Sequence, residues 1–277
     1  MTTRMDAKTD VVPLTREDVS AAAALSATFG WPHRQEDWAL MLRIGVGLKI
    51  QPDDALAGTV MWWPLGPNTA TLGMVMVPKH LQGQGVGTRL MQAALAANTG
   101  KTLRLNATPE GMALYQGAGF RDVGVICQNQ GIARGTGETG DAVLAGRYVA
   151  SQIMEFDQRV TGLQRSHILE TLVTVSDVAI STDASGELSG YALCRAFGMG
   201  RVIGPVVASD TLTAKALIAL FLDRYTGQFL RIDTPATHGL SPWLAAHGLI
   251  EVEPATAMRI GADDLPSAFA LASQALG

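Results

Sequence analysis

The chain has 277 residues, 47% apolar and 17% charged, which describes a globular protein with a sizeable core and excludes a disordered one. That length suits one large domain or two ordinary ones. A formal charge of −4, with Lys and Arg scattered, gives no pull toward nucleic acid or an anionic membrane, so neither is an expected partner.

Residues 11–14 read as a first strand. Thr15, with Asp18 three residues on, resembles a capping box that opens a helix over 21–29. Gly30, Trp31, Pro32 and His33 break it, and a second helix begins near Glu36 and carries Trp38, Leu40, Met41 and Ile44. Strands are predicted at 46–50, 58–63 and 69–77, with Gly66, Pro67 and Asn68 turning between the last two.

The stretch from Met74 into the following helix is the most informative part of the chain. An apolar strand runs into a loop dense in glycine and glutamine, and then into a helix with Leu90, Ala94 and Ala97 at helical spacing. Backbone N–H groups at Gly83, Gly85 and Gly87 can converge on one anion, helped by the positive end of the helix. The spacing Gln82-x-x-Gly85-x-Gly87 is neither the dinucleotide GxGxxG nor the P-loop, which needs a Lys-Ser/Thr pair after its last glycine. An ordinary tight turn would need fewer residues.

A strand at 102–107, a short helix at 110–116 closed by Gly117, Ala118 and Gly119, and a strand at 120–127 follow, giving a mixed α/β order. Residues 129–146 are rich in glycine and lack periodicity, which predicts a junction. Beyond it come a helix at 162–173, strands at 177–181, 188–197 and 202–208, a helix at 212–225, a strand at 229–233, a short helix at 241–247 and a last strand pair. This order mirrors 74–127 and predicts two copies of one fold.

Cys127 and Cys194 lie far apart without a CxxC or His cluster, so reduced thiols are expected, with no metal and no redox dithiol. Residues 1–10 lack an apolar h-region, and the run 216–222 is too short to span a bilayer, so a cytoplasmic location is expected.

The succession of strand, Gln-x-x-Gly-x-Gly, helix and strand, then Leu114-Tyr115-x-x-x-Gly119-Phe120, resembles the GNAT superfamily of acetyl-CoA-dependent N-acetyltransferases over about 11–132. The whole chain is similar to tandem GNATs of the YitH/HolE type, through FGWPHRQEDW at 29–38 and GYALCR…IGPVVA within 190–208. The resemblance implies two GNAT-like domains, each a mixed, mainly antiparallel sheet flanked by helices. They would be a catalytic 1–130, a linker 131–147 and a degenerate 148–277. It implies that Met74, Val75, Met76 and Val77 offer backbone groups to the pantetheine arm and acetyl carbonyl of acetyl-CoA. Gln82, Gly83, Gln84, Gly85, Val86, Gly87 and Thr88 would wrap the pyrophosphate, and Tyr115 would point its hydroxyl at the coenzyme sulfur. Thr108 stands where the family often has an asparagine.

Acetyl transfer to an amine needs a donor to the carbonyl oxygen and an acid for the departing thiolate. A backbone N–H near 75–77 suits the first role. Tyr115, a weaker acid than a thiol, suits the second, although a tyrosine also serves as an amphipathic lid on a core. No carboxylate or histidine lies in 69–77, so the base is open among Glu36, Asp37, His33, Asp177 and an ordered water. Trp31, His33, Asp37 and Trp243 are the acceptor-site candidates, with Arg195 and Cys194 behind them; Trp31 and His33 could equally organise the helix junction. His80 suits orienting the loop. In the second half Ser209 and Asp210 run straight into a helix, Asp210 reads as an N-cap that would repel phosphate, and Leu244 stands where Tyr115 does. The expected activity is transfer of an acetyl or short acyl group to the primary amine of a small molecule, by direct attack in a ternary complex. The alternative is a non-catalytic acyl-CoA sensor of the same fold.

Overall fold

A computed structural model describes residues 10–52, 55–145, 150–262 and 268–277. Residues 1–9, the end of the expected linker at 146–147 and the first residue of the expected second half, Tyr148, lie outside the described residues.

Strand β1 (Val11–Pro13) pairs antiparallel with β2 (Val46–Ile50), and helices α1 (Val19–Ala27) and α2 (Gln35–Ile44) lie between them in sequence. Thr15 N–H donates to the Asp18 carboxylate at 2.8 Å, one arm of the expected capping box. Trp38, Met41 and Ile44 form the buried stripe of α2. Strands β3 (Gly58–Pro64) and β4 (Thr69–Met76) form a hairpin, and α3 (Val86–Ala97) buries Val86, Leu90, Met91 and Ala94. Then come β5 (Thr102–Ala107), α4 (Met112–Gly117) and β6 (Arg121–Ile132).

The second half repeats the scheme. It comprises β7 (Val143–Ala145), α5 (Ala150–Thr161), α6 (Ser166–Thr174), β8 (Ser176–Thr182), β9 (Leu188–Phe197) and β10 (Gly200–Ala208). These are followed by α7 (Thr211–Arg224), β11 (Phe229–Pro235), α8 (Ser241–Ala246), β12 (Ile250–Glu251) and β13 (Ala255–Ile260). No helix among the described residues is long and apolar enough to cross a membrane.

The halves exchange their last strands. Among the described residues one sheet runs β1-β2-β3-β4-β5-β13-β6-β11-β10-β9-β8-β7, so β13 lies between β5 and β6, and β6 crosses to pair with β11. The registers are antiparallel throughout this centre, with Met258 opposite Leu105, Thr256 opposite Val125 and Ile132 opposite Phe229. Met258, from the second half, is buried in the core of the first with Leu103, Leu105 and Phe120.

Four elements differ from the sequence expectation, the first being β7, which lies inside the expected linker and pairs antiparallel with β8 where no local pattern marks a strand. Strand β6 runs to Ile132 rather than 127, because its far end is held between second-half strands that a local pattern does not reveal. Helix α5 lies outside the expected elements: it follows just after the stretch read as a junction, and it buries Asp157 and Thr161 beside Ile153 and Phe156. The helix expected from 162 begins at Ser166, since Gly162, at φ +70°, ends α5.

Asp157 is buried for a reason. Its carboxylate accepts from Arg165 at 3.0 and 2.9 Å and from the Tyr191 hydroxyl at 2.6 Å, all three residues being nearly inaccessible. Removing one member of such a set leaves an uncompensated buried charge. Asp157→Ala should therefore cost about 3–5 kcal/mol in urea denaturation. A loss below about 1 kcal/mol would show that the network contributes little.

Candidate active site between the halves

Strands β4 and β5 are parallel and in register only from Thr69–Thr102 to Thr71–Arg104. Beyond that they part. The register of β3 against β4 shifts between Thr59 and Met61, and Met74 adopts φ +52°, a left-handed conformation that a methionine rarely takes. The Thr59 hydroxyl donates to the Met74 carbonyl at 2.8 Å and holds the kink. A cavity of about 1070 Å³ opens in the gap, with Gly73, Met74, Val75 and Val77 on one bank and Asn106 and Thr108 on the other.

The glycine loop forms one end of this cavity through Gln82, Gly83, Gly85, Val86, Gly87 and Thr88. Gly83 and Gly85 have φ +73° and +82° and open space where a Cβ would stand, so conformation rather than crowding selects glycine there. At Gly87 a Cβ would stand 3.2 Å from Leu114 Cδ2, a tight contact that the leucine would have to relieve. Gly85 is the N-cap of α3 and no side chain caps the helix, so the first-turn amides are left without the usual partner. Such a terminus binds an anion, and Lys79 lines the cavity beside it. Two glutamines brace the loop: Gln82 Nε2 donates to the Val77 carbonyl and Gln84 Nε2 to that of His80, each at 3.0 Å.

Tyr115 lines the same cavity from α4, its ring edge-on to Phe120 with centroids 6.2 Å apart. Gly111 makes room, since a Cβ there would lie 2.7 Å from Tyr115 Cε2. Burial pushes the phenol well above its ordinary pKa, so it stays protonated and available as a donor.

On the opposite side, the break between α1 and α2 supplies Phe29, Trp31 and His33, and the second half supplies Phe197, Met199 and Arg231. The rings make a continuous wall: Trp31 lies 5.9 Å from His33, and His33 meets Phe197 edge-on at 5.3 Å. Burial, then the nearby Arg231 and Arg195, lower the His33 pKa to about 4 against the pull of Asp37. His33 is therefore neutral at pH 7. The unfolded chain takes up a proton near 6.5 and the folded chain only near 4, so stability should be lost as pH is lowered from 6.5 to 4, by up to about 3 kcal/mol. His33→Gln should flatten that part of a stability profile measured by chemical denaturation; an unchanged slope would contradict the assignment.

Several candidates are not brought to the cavity. Asp37 is buried and occupied: Arg34 Nε and Nη2 reach its oxygens at 3.0 and 2.8 Å, and Arg34 N–H and Gly198 N–H donate at 2.9 and 3.0 Å. Burial alone would raise its pKa, and those donors more than offset it, so Asp37 ties α2 to the β9–β10 turn and is no base. Trp243 sits on the far face, against His247 and under Lys215. Asp177 pairs with Arg224 and Tyr225. Met76, Gln84, Glu36, Arg195 and Cys194 do not line the cavity, the last two being buried in the sheet. The sequence reading missed Gln128, Gln130, Phe197, Arg231 and Gln274, which do line it. An amide chain links some of them: Asn106 Nδ2 donates to the Gln274 carbonyl at 2.7 Å, Gln274 Nε2 to Gln128 at 3.2 Å, and Gln128 Nε2 to Gln130 at 3.0 Å. The alternation of Gln128 with Gln130 and of Arg231 with Asp233 was the available signal for one polar sheet face.

Two family models, each described as an acetyltransferase (GNAT) domain, match residues 47–134 and 153–270, together most of the chain. The chain belongs to the GNAT acetyltransferases. It is a tandem GNAT, 26% identical over 245 residues to the uncharacterized N-acetyltransferase YitH of Bacillus subtilis (strain 168), covering 84% of this chain and 85% of YitH. Among solved structures, a putative acetyltransferase from Pyrococcus horikoshii matches with a TM-score of 0.83 at 18% identity, covering 99% and 98% of the two chains. A tandem GNAT protein from the clavulanic acid biosynthesis pathway matches at 0.65 and 17%, covering 92% and 99%. Both share the fold of this GNAT enzyme.

The second GNAT repeat splays in the same way. Strands β10 and β11 are in parallel register only from Arg201 to Ile203, and the register of β10 against β9 shifts between Ile203 and Val206. Here the chain fills its own gap. Val206 N–H donates to the Ala270 carbonyl at 3.0 Å, Phe269 N–H to the Val206 carbonyl at 2.8 Å and Leu271 N–H to the Asp233 carbonyl at 2.9 Å. The helix that follows is already capped, Asp210 accepting from Thr213 N–H at 2.9 Å, and Leu244 is fully buried.

Proposed function

We propose that this tandem GNAT acyltransferase moves an acetyl or short acyl group from acetyl-CoA to the primary amine of a small molecule, by direct attack in a ternary complex. The observation that carries the reading is one continuous cavity. It runs from the uncapped N-terminus of α3, past the parted edge of β4 and Tyr115, to an aromatic wall shared by both halves.

The first-turn amides of α3, the turn at Gly83 and Gly85, and Lys79 suit the diphosphate of coenzyme A. The edge of β4 from Gly73 to Val77 suits the pantetheine arm, which can add to it as a strand would. The thioester, when bound, supplies an activated acyl group. Tyr115 holds its proton for the departing sulfur, and a β4 amide donates to the acyl oxygen, the kind of preorganised contact that is worth about 3–4 kcal/mol in acyl transfer. His33, neutral at pH 7, lines the acceptor end of the cavity and would hydrogen-bond the substrate there. Closure by Phe197, Met199 and the 273–275 segment supports a small acceptor over a protein side chain.

Because residues 269–271 fill the second splay, one acetyl-CoA per chain is expected. Calorimetric titration counts the sites, and an amine panel read by thiol release tests transfer. A stoichiometry of two per chain, or acetyl-CoA binding with no amine ever acylated, would overturn the respective parts of this reading.

A further inference from the structure

The acceptor end of the cavity carries a cation with unused capacity. Arg231, on β11, donates through Nε to both carboxylate oxygens of the fully buried Asp233, at 3.0 and 3.1 Å. Neither terminal nitrogen of its guanidinium has a hydrogen-bond partner among the described residues, although the side chain is only 12% exposed and lines the cavity. Arg195 lies beside it, both guanidiniums packing over Phe197 at 5.1 and 5.7 Å. Arg195 has no carboxylate within ion-pair reach among the described residues, and its Nε and Nη1 are buried without a partner. That end of the cavity is thus positive. Burial is the main cause of the depressed His33 pKa, and Arg231 and Arg195 add to it against Asp37.

The other polar groups there are consistent. His33 has a buried Nδ1 without a partner. Gln128 and Gln130 stand on the same sheet face as Arg231, Gln130 directly opposite it in register. Asp37, the remaining nearby carboxylate, is consumed by Arg34 and Gly198. Glu253 and Glu110 are exposed members of the wall. A free guanidinium edge in a half-dry cavity is a site for a planar or tetrahedral oxyanion, bound by charge-assisted hydrogen bonds.

We propose that the amine acceptor carries an anionic group, a carboxylate or a phosphate, held by the terminal nitrogens of Arg231 with His33 beside it, while its amine points along the cavity toward Tyr115. The proposal rests on the acyl-transfer reading for the amine and on the Arg231 geometry for the anion, and the two are separable by experiment.

Full-length protein is assayed by thiol release with acetyl-CoA and amines of one skeleton: an amino acid, its carboxamide, the decarboxylated amine and the aminophosphonate. At least one anionic member should exceed both neutral ones in kcat/KM by about tenfold or more, the size expected of a charge-assisted pair. Which anionic member leads distinguishes carboxylate from phosphate. The double variant Arg231→Gln/Asp233→Asn removes the cation without stranding a buried charge, and should reduce that preference to within about twofold. Its melting temperature and acetyl-CoA affinity verify the fold. Neutral amines acylated as well as anionic ones, or a preference that survives in the double variant, would overturn the proposal while leaving acyl transfer intact. Calorimetric binding of the N-acetylated amino acid and its amide is the second readout. If no amine is acylated but the anionic ligand still binds and the double variant loses it, the anion site stands and the transferase reading falls. If neither ligand binds and no anionic amine is preferred, the anion site falls.

Discussion

Tyr115→Phe should reduce kcat by about 100- to 10,000-fold, the range that a positioned general acid contributes, with acetyl-CoA affinity changed by less than about threefold. The structure explains why the two quantities should separate. The ring packs on Gly111 and against Phe120, and phenylalanine keeps both contacts. The hydroxyl makes no hydrogen bond among the described residues, so its removal strands no partner and stability should stay within about 0.5 kcal/mol. Burial raises the phenol pKa, which keeps the proton in place, so on the proposed reading the group would act by hydrogen-bonding the sulfur as charge develops. Steady-state kinetics beside calorimetric titration is the measurement. Undiminished kcat would remove Tyr115 from the chemistry. A wild type that binds acetyl-CoA and turns over no amine would instead favour the non-catalytic sensor.

What the sequence made legible was the local half of the site. The loop from Gln82 to Thr88 and the Leu114–Phe120 block are contiguous, and their glycines declare backbone conformations that few other residues allow. The repeat was legible because apolar strand and helix patterns recur. The acceptor wall was not, since Phe197, Arg231 and Gln274 come from elements far apart in sequence and meet only because β6 and β13 cross between halves. Each of those residues has an ordinary local explanation. Asp37 shows the limit from the other side. The sequence leaves it open as a base or an acceptor-site residue, and only the Arg34 and Gly198 contacts show that its lone pairs are spent. The filled second splay was half-visible: Asp210 could be read as the helix N-cap it is, but nothing local indicated that residues 269–271 occupy the gap.

The exchanged strands give the other large expected effect: a chain cut after Ala145 should not fold. Every strand that pairs with β6 among the described residues, β11, β12 and β13, belongs to the second half, so the cut leaves β6 unpaired on both edges. Strand β5 loses its β13 neighbour as well, along five register positions from Thr256–Ala107 to Ile260–Leu103. Backbone groups that were satisfied would be left open on two adjacent strands, and a large buried side chain, Met258, would vanish from the first half's core. Losing such a side chain alone costs about 2–5 kcal/mol, of the same order as the 5–15 kcal/mol total stability of a typical domain. The expected result is an insoluble or molten 1–145 fragment with no near-ultraviolet circular dichroism. Co-expression with 150–277 should restore a soluble complex that binds acetyl-CoA, because the missing strands are supplied in trans. A 1–145 fragment that unfolds cooperatively on its own would show that β13 is dispensable, and would return the first half to the status of an independent domain.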